Sequence, residues 1–253
     1  MPRYFIRLAF DGTNYHGWQL QLNGLSIQQV LNEKLTAILQ QPIMAIGAGR
    51  TDAGVHAKEF YTHFDSNEML KVERCNQLVF QLNGFLPKDI AVFEIFEVKP
   101  NMHARYSAIS RTYEYLICRR KDPFLFNRAW FYSQALDLDL MNQGADIIKE
   151  YDDFGCFSKS NTQVKTYKCY IMHAGWEQND GVLKFTITAD RFLRNMVRAI
   201  VGTLTELGRG RITLDELRRI IESGDRRQAG FSVPAEGLYL MKVIYPSDIR
   251  LQD

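Results

Sequence analysis

The sequence has little of the features that mark specialised classes of protein. Its four cysteines in 253 residues are widely spaced, without a Cys-x-x-Cys pair or a Cys/His ligand spacing, which argues against a zinc site and a disulfide framework. No apolar run approaches the length of a membrane span, and the N-terminus lacks the apolar core of a signal peptide. These absences predict a soluble, cytoplasmic protein with reduced cysteines.

An excess of one charge is also missing. The 31 Lys and Arg residues nearly balance the 29 Asp and Glu residues, which leaves a net charge of +2. The chain as a whole is therefore not a polycation. If it binds nucleic acid, its positive charge must be concentrated on one face.

The chain does contain many apolar and aromatic residues, in alternating helical and strand-like segments. Hydrophobic residues make up 46% and aromatic residues 12%, enough for a substantial core. Strand-like segments follow one another too closely for parallel crossovers, which predicts an α+β fold with helices on a largely antiparallel sheet. The irregular aromatic stretch 121–133 predicts a division into an N-terminal lobe, 1–125, and a C-terminal lobe, 126–253. Periodicity predicts helices over 26–39, 72–82, 138–150, 192–207 and 213–223, and Ser26 and Thr213 stand at capping-box spacing.

The segment GAGRTDAGVHA, residues 47–57, combines three glycines with Arg50, Asp52 and His56. Its glycines permit a tight bend and the close approach of a large ligand. The segment lacks the spacing of a dinucleotide fingerprint and the Gly-Lys-Ser/Thr of a phosphate loop, and an aspartate there would repel phosphate. A metal site formed by Asp52, His56 and His63 is disfavoured, because the glycines oppose the helix that would bring the first two together.

Asp52 itself has two interpretations. A loop aspartate commonly closes an Asx-turn, and one motif alone does not exclude that role. Alternatively, Arg50 keeps the carboxylate ionised, so that it acts as a nucleophile or general base. Hydrolytic glycosidases use two carboxylates in opposite protonation states, whereas a lone one suits a reaction in which no group is finally released.

Arginines accumulate in residues 190–204, DRFLRNMVRAIVGTL, which the periodicity predicts to be helical. Arg191, Asn195 and Arg198 would fall on one side of this helix, with Arg194 alongside, and the apolar residues on another. A basic side suits a phosphate backbone, although a solvated basic face is the common alternative.

Two further segments present aromatic side chains. On the predicted strand 110–120, Arg111, Tyr113 and Tyr115 share one face. A tyrosine there could stack on a nucleobase, or could be a half-buried cross-strand aromatic. The polar loop 11–21 could touch RNA or form a structured turn.

Taken together, these segments resemble the tRNA pseudouridine synthase A family, in order and over nearly the whole chain. GRTDAGVHA is highly specific to that family, and the other motifs are strong in combination. The matching segments are FDGTNYHGWQ, GAGRTDAGVHA, LPKDIAV, HARYSAISRTYEYLI, DFGCFSK, FLRNMVRAIVG and VPAEGLYLMKVIY.

The resemblance implies an isomerase that converts uridine to pseudouridine at positions 38, 39 and 40 in the anticodon arm of tRNA. The family uses neither cofactor nor metal. Its fold has two α/β lobes sharing a largely antiparallel mixed sheet flanked by helices, and its homodimer forms basic clefts for tRNA.

The resemblance also implies roles for individual residues. Asp52 matches the family's essential aspartate, and Arg50 matches the arginine two residues before it. Tyr113 matches the tyrosine that packs on the target base, Arg198 matches the arginine that pairs with the aspartate, and Leu238 falls in the segment that lines the pocket. Further candidates for RNA contact are Arg191, Arg194, Arg111 and His56.

Two other functions remain open at this point. A non-catalytic tRNA-binding or folding module would use the same arginines and make Asp52 dispensable. A nucleoside hydrolase for small molecules would need a second carboxylate and no basic helix. The joint presence of the aspartate, the arginines and Tyr113 favours the isomerase.

Overall fold

The computed structural model describes residues 1–159 and 165–251. The chain divides into two compact units, the first comprising Met1–Ile109 and Leu240–Asp253 and the second comprising Ser110–Tyr239. The lobe boundary expected between residues 125 and 126 falls inside the second unit. The reason is that the two-residue strand Trp130–Phe131 pairs with the strand Ser110–Cys118, so the segment between them packs with the second unit.

The first unit is built around one central strand. Its elements are β1 (Arg3–Phe10), α1 (Ile27–Leu39), β2 (Ile46–Gly47), β3 (His56–Asp65), α2 (Val72–Phe85) and β4 (Ile90–Val98). Strand β1 pairs antiparallel with β3 on one side and with β4 on the other, and β2 pairs antiparallel with β3. The aromatic and β-branched residues of β1 supply much of the core, because Tyr4, Phe5 and Ile6 are fully buried.

The second unit has the same kind of construction. Its elements are β5 (Ser110–Cys118), β6 (Trp130–Phe131), α3 (Leu138–Ile148), β7 (Ile171–Asn179), β8 (Val182–Ala189), α4 (Met196–Gly208) and α5 (Leu214–Ser223), and β9 (Leu238–Ile244) begins at its end. Strand β8 pairs antiparallel with β5 and β7, whereas β6 runs parallel to β5. These pairings, with the flanking helices, confirm the predicted α+β class with mixed, largely antiparallel strand pairing.

The two predicted helix starts are confirmed by their caps. Ser26 Oγ accepts a hydrogen bond of 3.2 Å from the Gln29 N–H at the start of α1. At α5, Thr213 Oγ1 accepts from the Glu216 N–H, and Glu216 Oε2 accepts from the Thr213 N–H. Each cap pairs backbone N–H groups that the first helical turn leaves without partners.

The prediction for the arginine-rich helix is wrong at its start. Helix α4 begins at Met196 rather than at residue 192, because Asn195 takes a left-handed conformation with φ of 68°. Arg191 and Arg194 therefore precede the helix in irregular backbone and do not share a helical face with Arg198. Nearly every residue of α4 is buried, so it is a core helix without a basic side.

Candidate active site

The bend that carries Asp52 lies between β2 and β3 in the first unit. Val55 donates its N–H to the Asp52 carbonyl at 3.2 Å, which closes a turn whose third residue, Gly54, has φ of 81°. Arg50 is exposed, whereas the Asp52 side chain is half-buried. The glycine at position 54 is thus explained by the turn that follows the aspartate.

Residues 11–18, in the loop that follows β1, form hydrogen bonds to this bend on both sides of Asp52. The Gly54 N–H donates to the Tyr15 carbonyl at 3.3 Å, and the Trp18 N–H donates to Thr51 Oγ1 at 3.0 Å. Gly17 has φ of 81°, and a Cβ at that position would lie 2.1 Å from the Thr51 carbonyl oxygen. The backbone on either side of Asp52 is therefore fixed by contacts that depend on this loop.

The loop is itself anchored to Asp89, just before β4. The Tyr15 hydroxyl donates to Asp89 Oδ1 at 2.6 Å, and the Asp11 N–H donates to the Asp89 carbonyl at 2.9 Å. Burial and the neighbouring carboxylate raise the pKa of Tyr15, so its hydroxyl keeps its proton and remains a donor. Sequence reasoning left the role of 11–21 open and missed Tyr15 and Asp89 as supporting residues. The only signal was the motif FDGTNYHGWQ.

His56 supports the same loop from the interior. Its Nδ1 lies 3.1 Å from the Gly12 N–H donor and 3.0 Å from Asp11 Oδ1. The residue is only 2% exposed, so it is not a surface for RNA in this structure. We assign His56 a positioning role in place of the RNA contact expected from the sequence.

The bend has one glycine that no internal contact explains. A Cβ at Gly47 would lie 2.5 Å from Trp18 Nε1, so that glycine makes room for the core. A Cβ at Gly49 would meet no atom of the described residues within 4 Å, and the φ of Gly49 is not positive. The backbone at Gly49 therefore borders open space on the bend that carries Asp52.

Tyr113 occupies β5 in the second unit, opposite Ile187 of β8. Its half-buried ring meets the Phe192 ring edge-on, with the centroids 5.1 Å apart. Tyr115, two residues further on, is fully buried and donates its hydroxyl to the Pro234 carbonyl at 2.7 Å. Of the two tyrosines predicted to share a face, Tyr115 is therefore a core residue and Tyr113 remains partly accessible.

Arg198 is the one cation of helix α4, and it is half-buried. Its Nε donates to the Val233 carbonyl at 2.7 Å, and its own carbonyl accepts from the Val233 N–H at 3.3 Å. Leu238, five residues after Val233, is buried at the start of β9. Residues 233–238 therefore contact both Arg198 and the core residue Tyr115, and the same segment carries Leu238.

The remaining arginines have different environments. Arg111 donates through Nη1 to the Asp190 carbonyl at 2.7 Å, which ties β5 to the end of β8. Arg191 is half-buried, and Arg194 is exposed. Both residues lie in the irregular backbone between β8 and α4.

Within residues 1–159 and 165–251, no three His, Cys, Asp or Glu side chains come together as possible metal ligands. All four cysteines are free and buried, and burial raises the pKa of Cys156 and of Cys169 to about 12, which makes them poor nucleophiles. No helix in these ranges is long and apolar enough to cross a membrane.

Known proteins match this chain over its full extent. The family model described as tRNA pseudouridine synthase matches residues 151–246, which include Arg198 and Leu238. A tRNA pseudouridine synthase A from Parabacteroides distasonis is 49% identical over 98% of each chain, and one from Bacteroides thetaiotaomicron is 50% identical over 98% of this chain and 93% of its own. One from Thermoanaerobacter pseudethanolicus is 38% identical over 97% of this chain and 100% of its own. The chain belongs to the tRNA pseudouridine synthase A family.

Proposed function

We propose that this protein isomerises uridine to pseudouridine at positions 38, 39 and 40 in the anticodon stem-loop of tRNAs. The observation that carries the proposal is Asp52, a half-buried carboxylate in a bend that is fixed on both sides and open at Gly49. The match to tRNA pseudouridine synthase A relatives over nearly the whole chain supports it.

The proposed reaction conserves atoms and electrons. The bond between N1 of uracil and C1′ of ribose breaks, the base turns, and a bond forms between C5 and C1′. C5 loses a proton and N1 gains one, so substrate and product are isomers, the reaction needs no oxidant and nothing is released in the balance. A single carboxylate therefore suffices, in contrast to the two that glycoside hydrolysis uses.

We propose Asp52 as the catalytic carboxylate, with three routes consistent with its chemistry. It attacks C1′, attacks C6 of the base, or first removes a ribose proton. The target nucleotide must leave its stack to reach the bend, at a cost of about a few kcal/mol. Arg50, exposed two residues before Asp52, supplies positive charge on the same bend.

We propose that three residues of the second unit bind the target nucleotide. Tyr113 presents a partly accessible ring that can stack on the base and a hydroxyl that can take the C5 proton. Arg198 is oriented by its bond to Val233, and Leu238 lies at the end of the same segment. Arg191 and Arg194 are proposed to contact tRNA phosphates, and Arg111 to position β5.

We also propose that the protein works as a cytoplasmic homodimer that uses no cofactor. The four free cysteines fit a reducing compartment. Sedimentation equilibrium of the pure protein tests the dimer. At micromolar concentration, the measured mass is expected to be twice the chain mass of 29.3 kDa. A monomer at that concentration would contradict it.

The proposed function is tested with three tRNA transcripts, each carrying uridine at only one of positions 38, 39 and 40. Pseudouridine is mapped by carbodiimide modification and primer extension after incubation with wild type or with Asp52→Asn. Wild type is expected to modify each transcript and the variant none, while both bind tRNA. Retained binding without modification by wild type would instead favour the non-catalytic tRNA-binding module.

A further inference from the structure

Residues 119–132 of the second unit form a segment that the proposed reaction does not use. Its sequence, RRKDPFLFNRAWFY, contains five aromatic residues and four cations, with Asp122 as its one acidic residue. We call it the aromatic–basic segment. Phe124 is 84% exposed, Phe126 76% and Phe131 52%. Burying a single Phe side chain contributes about 1.5–3 kcal/mol, so three exposed rings in one short segment indicate a surface kept for a partner.

The backbone of the aromatic–basic segment is well fixed. Asp122 caps the short helix Pro123–Leu125 by accepting from the Phe124 N–H at 2.9 Å. The Arg128 and Ala129 N–H groups both donate to the Leu125 carbonyl, at 2.9 and 3.1 Å. The exposed rings therefore project from an ordered turn, which limits the entropy lost when they bind a ligand.

Contacts to the rest of the second unit hold both ends. The Arg119 N–H donates to the Gly181 carbonyl at 3.1 Å, and the Tyr132 N–H donates to the Cys118 carbonyl at 2.9 Å. Near the middle, the Tyr239 hydroxyl donates to the Arg128 carbonyl at 2.7 Å. The segment is thus part of the second unit's framework, while the side chains of Phe124, Phe126 and Phe131 are exposed on it.

The positive charge of the aromatic–basic segment favours a negatively charged partner. Arg120, Lys121 and Arg128 are all exposed. If two copies met with this patch on their twofold axis, cations would oppose cations. A polyanion whose unpaired bases can stack on aromatic rings fits both the charge and the rings.

We propose that the aromatic–basic segment is a stacking platform for unpaired nucleotides of tRNA, with Phe124 and Phe126 taking bases and Arg120 and Lys121 taking phosphates. This inference rests on the proposed function, because it takes the substrate to be tRNA. It adds a binding surface separate from the residues proposed to carry out the isomerisation.

The test measures the dissociation constant of an unmodified tRNA transcript by filter binding, together with the single-turnover rate at saturating tRNA. Phe124→Ala/Phe126→Ala is expected to weaken binding by about tenfold or more and to leave the rate within about twofold. Phe124→Trp/Phe126→Trp is expected to restore affinity, because tryptophan keeps the stacking surface. Arg120→Gln/Lys121→Gln is expected to lower the salt slope of binding by about 1.4–1.8.

Phe80→Ala is the matched control, because Phe80 is 81% exposed on α2 of the first unit. Its affinity for tRNA is expected to match wild type. An equal loss in the control, or unchanged affinity in the double alanine variant, would overturn the platform. So would a change from dimer to monomer in that variant, since a second copy would then be the occupant. If wild type makes no pseudouridine but the double alanine variant still loses tRNA affinity, the platform stands and the proposed function fails.

Discussion

The backbone around Asp52 is held in place by residues of the loop 11–18. Thr51, the neighbour of Asp52, has its hydroxyl fixed by the Trp18 N–H, and the turn after it is fixed by the Tyr15 carbonyl. Catalysis requires reacting groups to be held in place before the reaction begins. Substitutions of these neighbours are therefore expected to lower activity, as substitutions of Asp52 are.

Tyr15→Phe removes the hydroxyl that donates to Asp89 at 2.6 Å and leaves the ring in place. We expect a loss of about 1–2 kcal/mol of unfolding free energy, because one hydrogen bond to a carboxylate is lost. The loop beneath Asp52 loosens, so kcat is expected to fall several-fold with tRNA affinity unchanged. Urea denaturation and single-turnover assays measure the two effects. Unchanged stability and unchanged kcat would show that the anchor is dispensable.

His63 gives the fold a specific pH dependence. Burial, with Arg3 and His103 nearby, lowers the pKa of His63 to about 4, against about 6.5 in the unfolded chain. Between these two pH values, His63 is protonated in the unfolded chain but neutral in the folded protein. The free energy of unfolding therefore falls as the pH drops from about 6.5 to about 4. From pH 7 to pH 4.5, wild type is expected to lose about 2–3 kcal/mol more than His63→Gln, measured by urea denaturation. Equal losses in the two proteins would refute this origin.

At the scale of the element, the loop 11–18 and the bend 47–55 fit together through glycine. Gly17→Ala places a Cβ 2.1 Å from the Thr51 carbonyl and forces a positive φ on alanine. We expect about 2–4 kcal/mol of destabilisation and a large loss of activity, because the bend must move. Thermal unfolding and tRNA modification assays report both.

Gly49→Ala is the matched variant within the same bend. Its new Cβ meets no described atom within 4 Å, so stability is expected to change by less than about 0.5 kcal/mol. If the open space admits the target nucleotide, KM rises while the fold is unaffected. A variant with wild-type KM would show that the space serves no ligand.

Several elements could be predicted from sequence because their signals are local. The capped helices α1 and α5 begin where Ser26 and Thr213 predict. Helix α4 could not be placed correctly, since its start depends on the left-handed Asn195 rather than on periodicity. Tyr15 and Asp89 escaped notice because their bond joins residues 74 positions apart in the chain.

At the scale of the whole molecule, the near-zero net charge makes salt dependence a sharp test of RNA binding. The logarithm of the dissociation constant for tRNA is expected to rise linearly with the logarithm of salt concentration, by about 0.7–0.9 for each phosphate contact. Arg191→Gln/Arg194→Gln is expected to reduce that slope by about 1.4–1.8. Arg218→Gln is the control, because Arg218 already pairs with Glu150 at 2.5 Å. Affinity that does not change with salt would contradict a basic tRNA surface.

The whole-molecule functional assignment came from the order of motifs along the chain, and the full-length relatives confirm the family. The boundary between the two units is harder to predict from the sequence. The aromatic stretch 121–133 predicts a lobe boundary, yet the backbone near its two ends bonds to Cys118 of β5 and to Gly181 just before β8. Composition shows where a chain is irregular, but only tertiary hydrogen bonds show which unit the irregular segment belongs to.

The central claim is that Asp52 catalyses the transfer of the ribose bond from N1 to C5. Its most direct test is tritium release from a tRNA transcript with C5-tritiated uridine, comparing wild type with Asp52→Asn. C5 gives up its hydrogen when it becomes the new point of attachment. Wild type is expected to release tritium and Asp52→Asn to release none, while both proteins still bind the transcript. Equal release by the two proteins would contradict the role of Asp52, and no release by either would contradict the isomerisation itself.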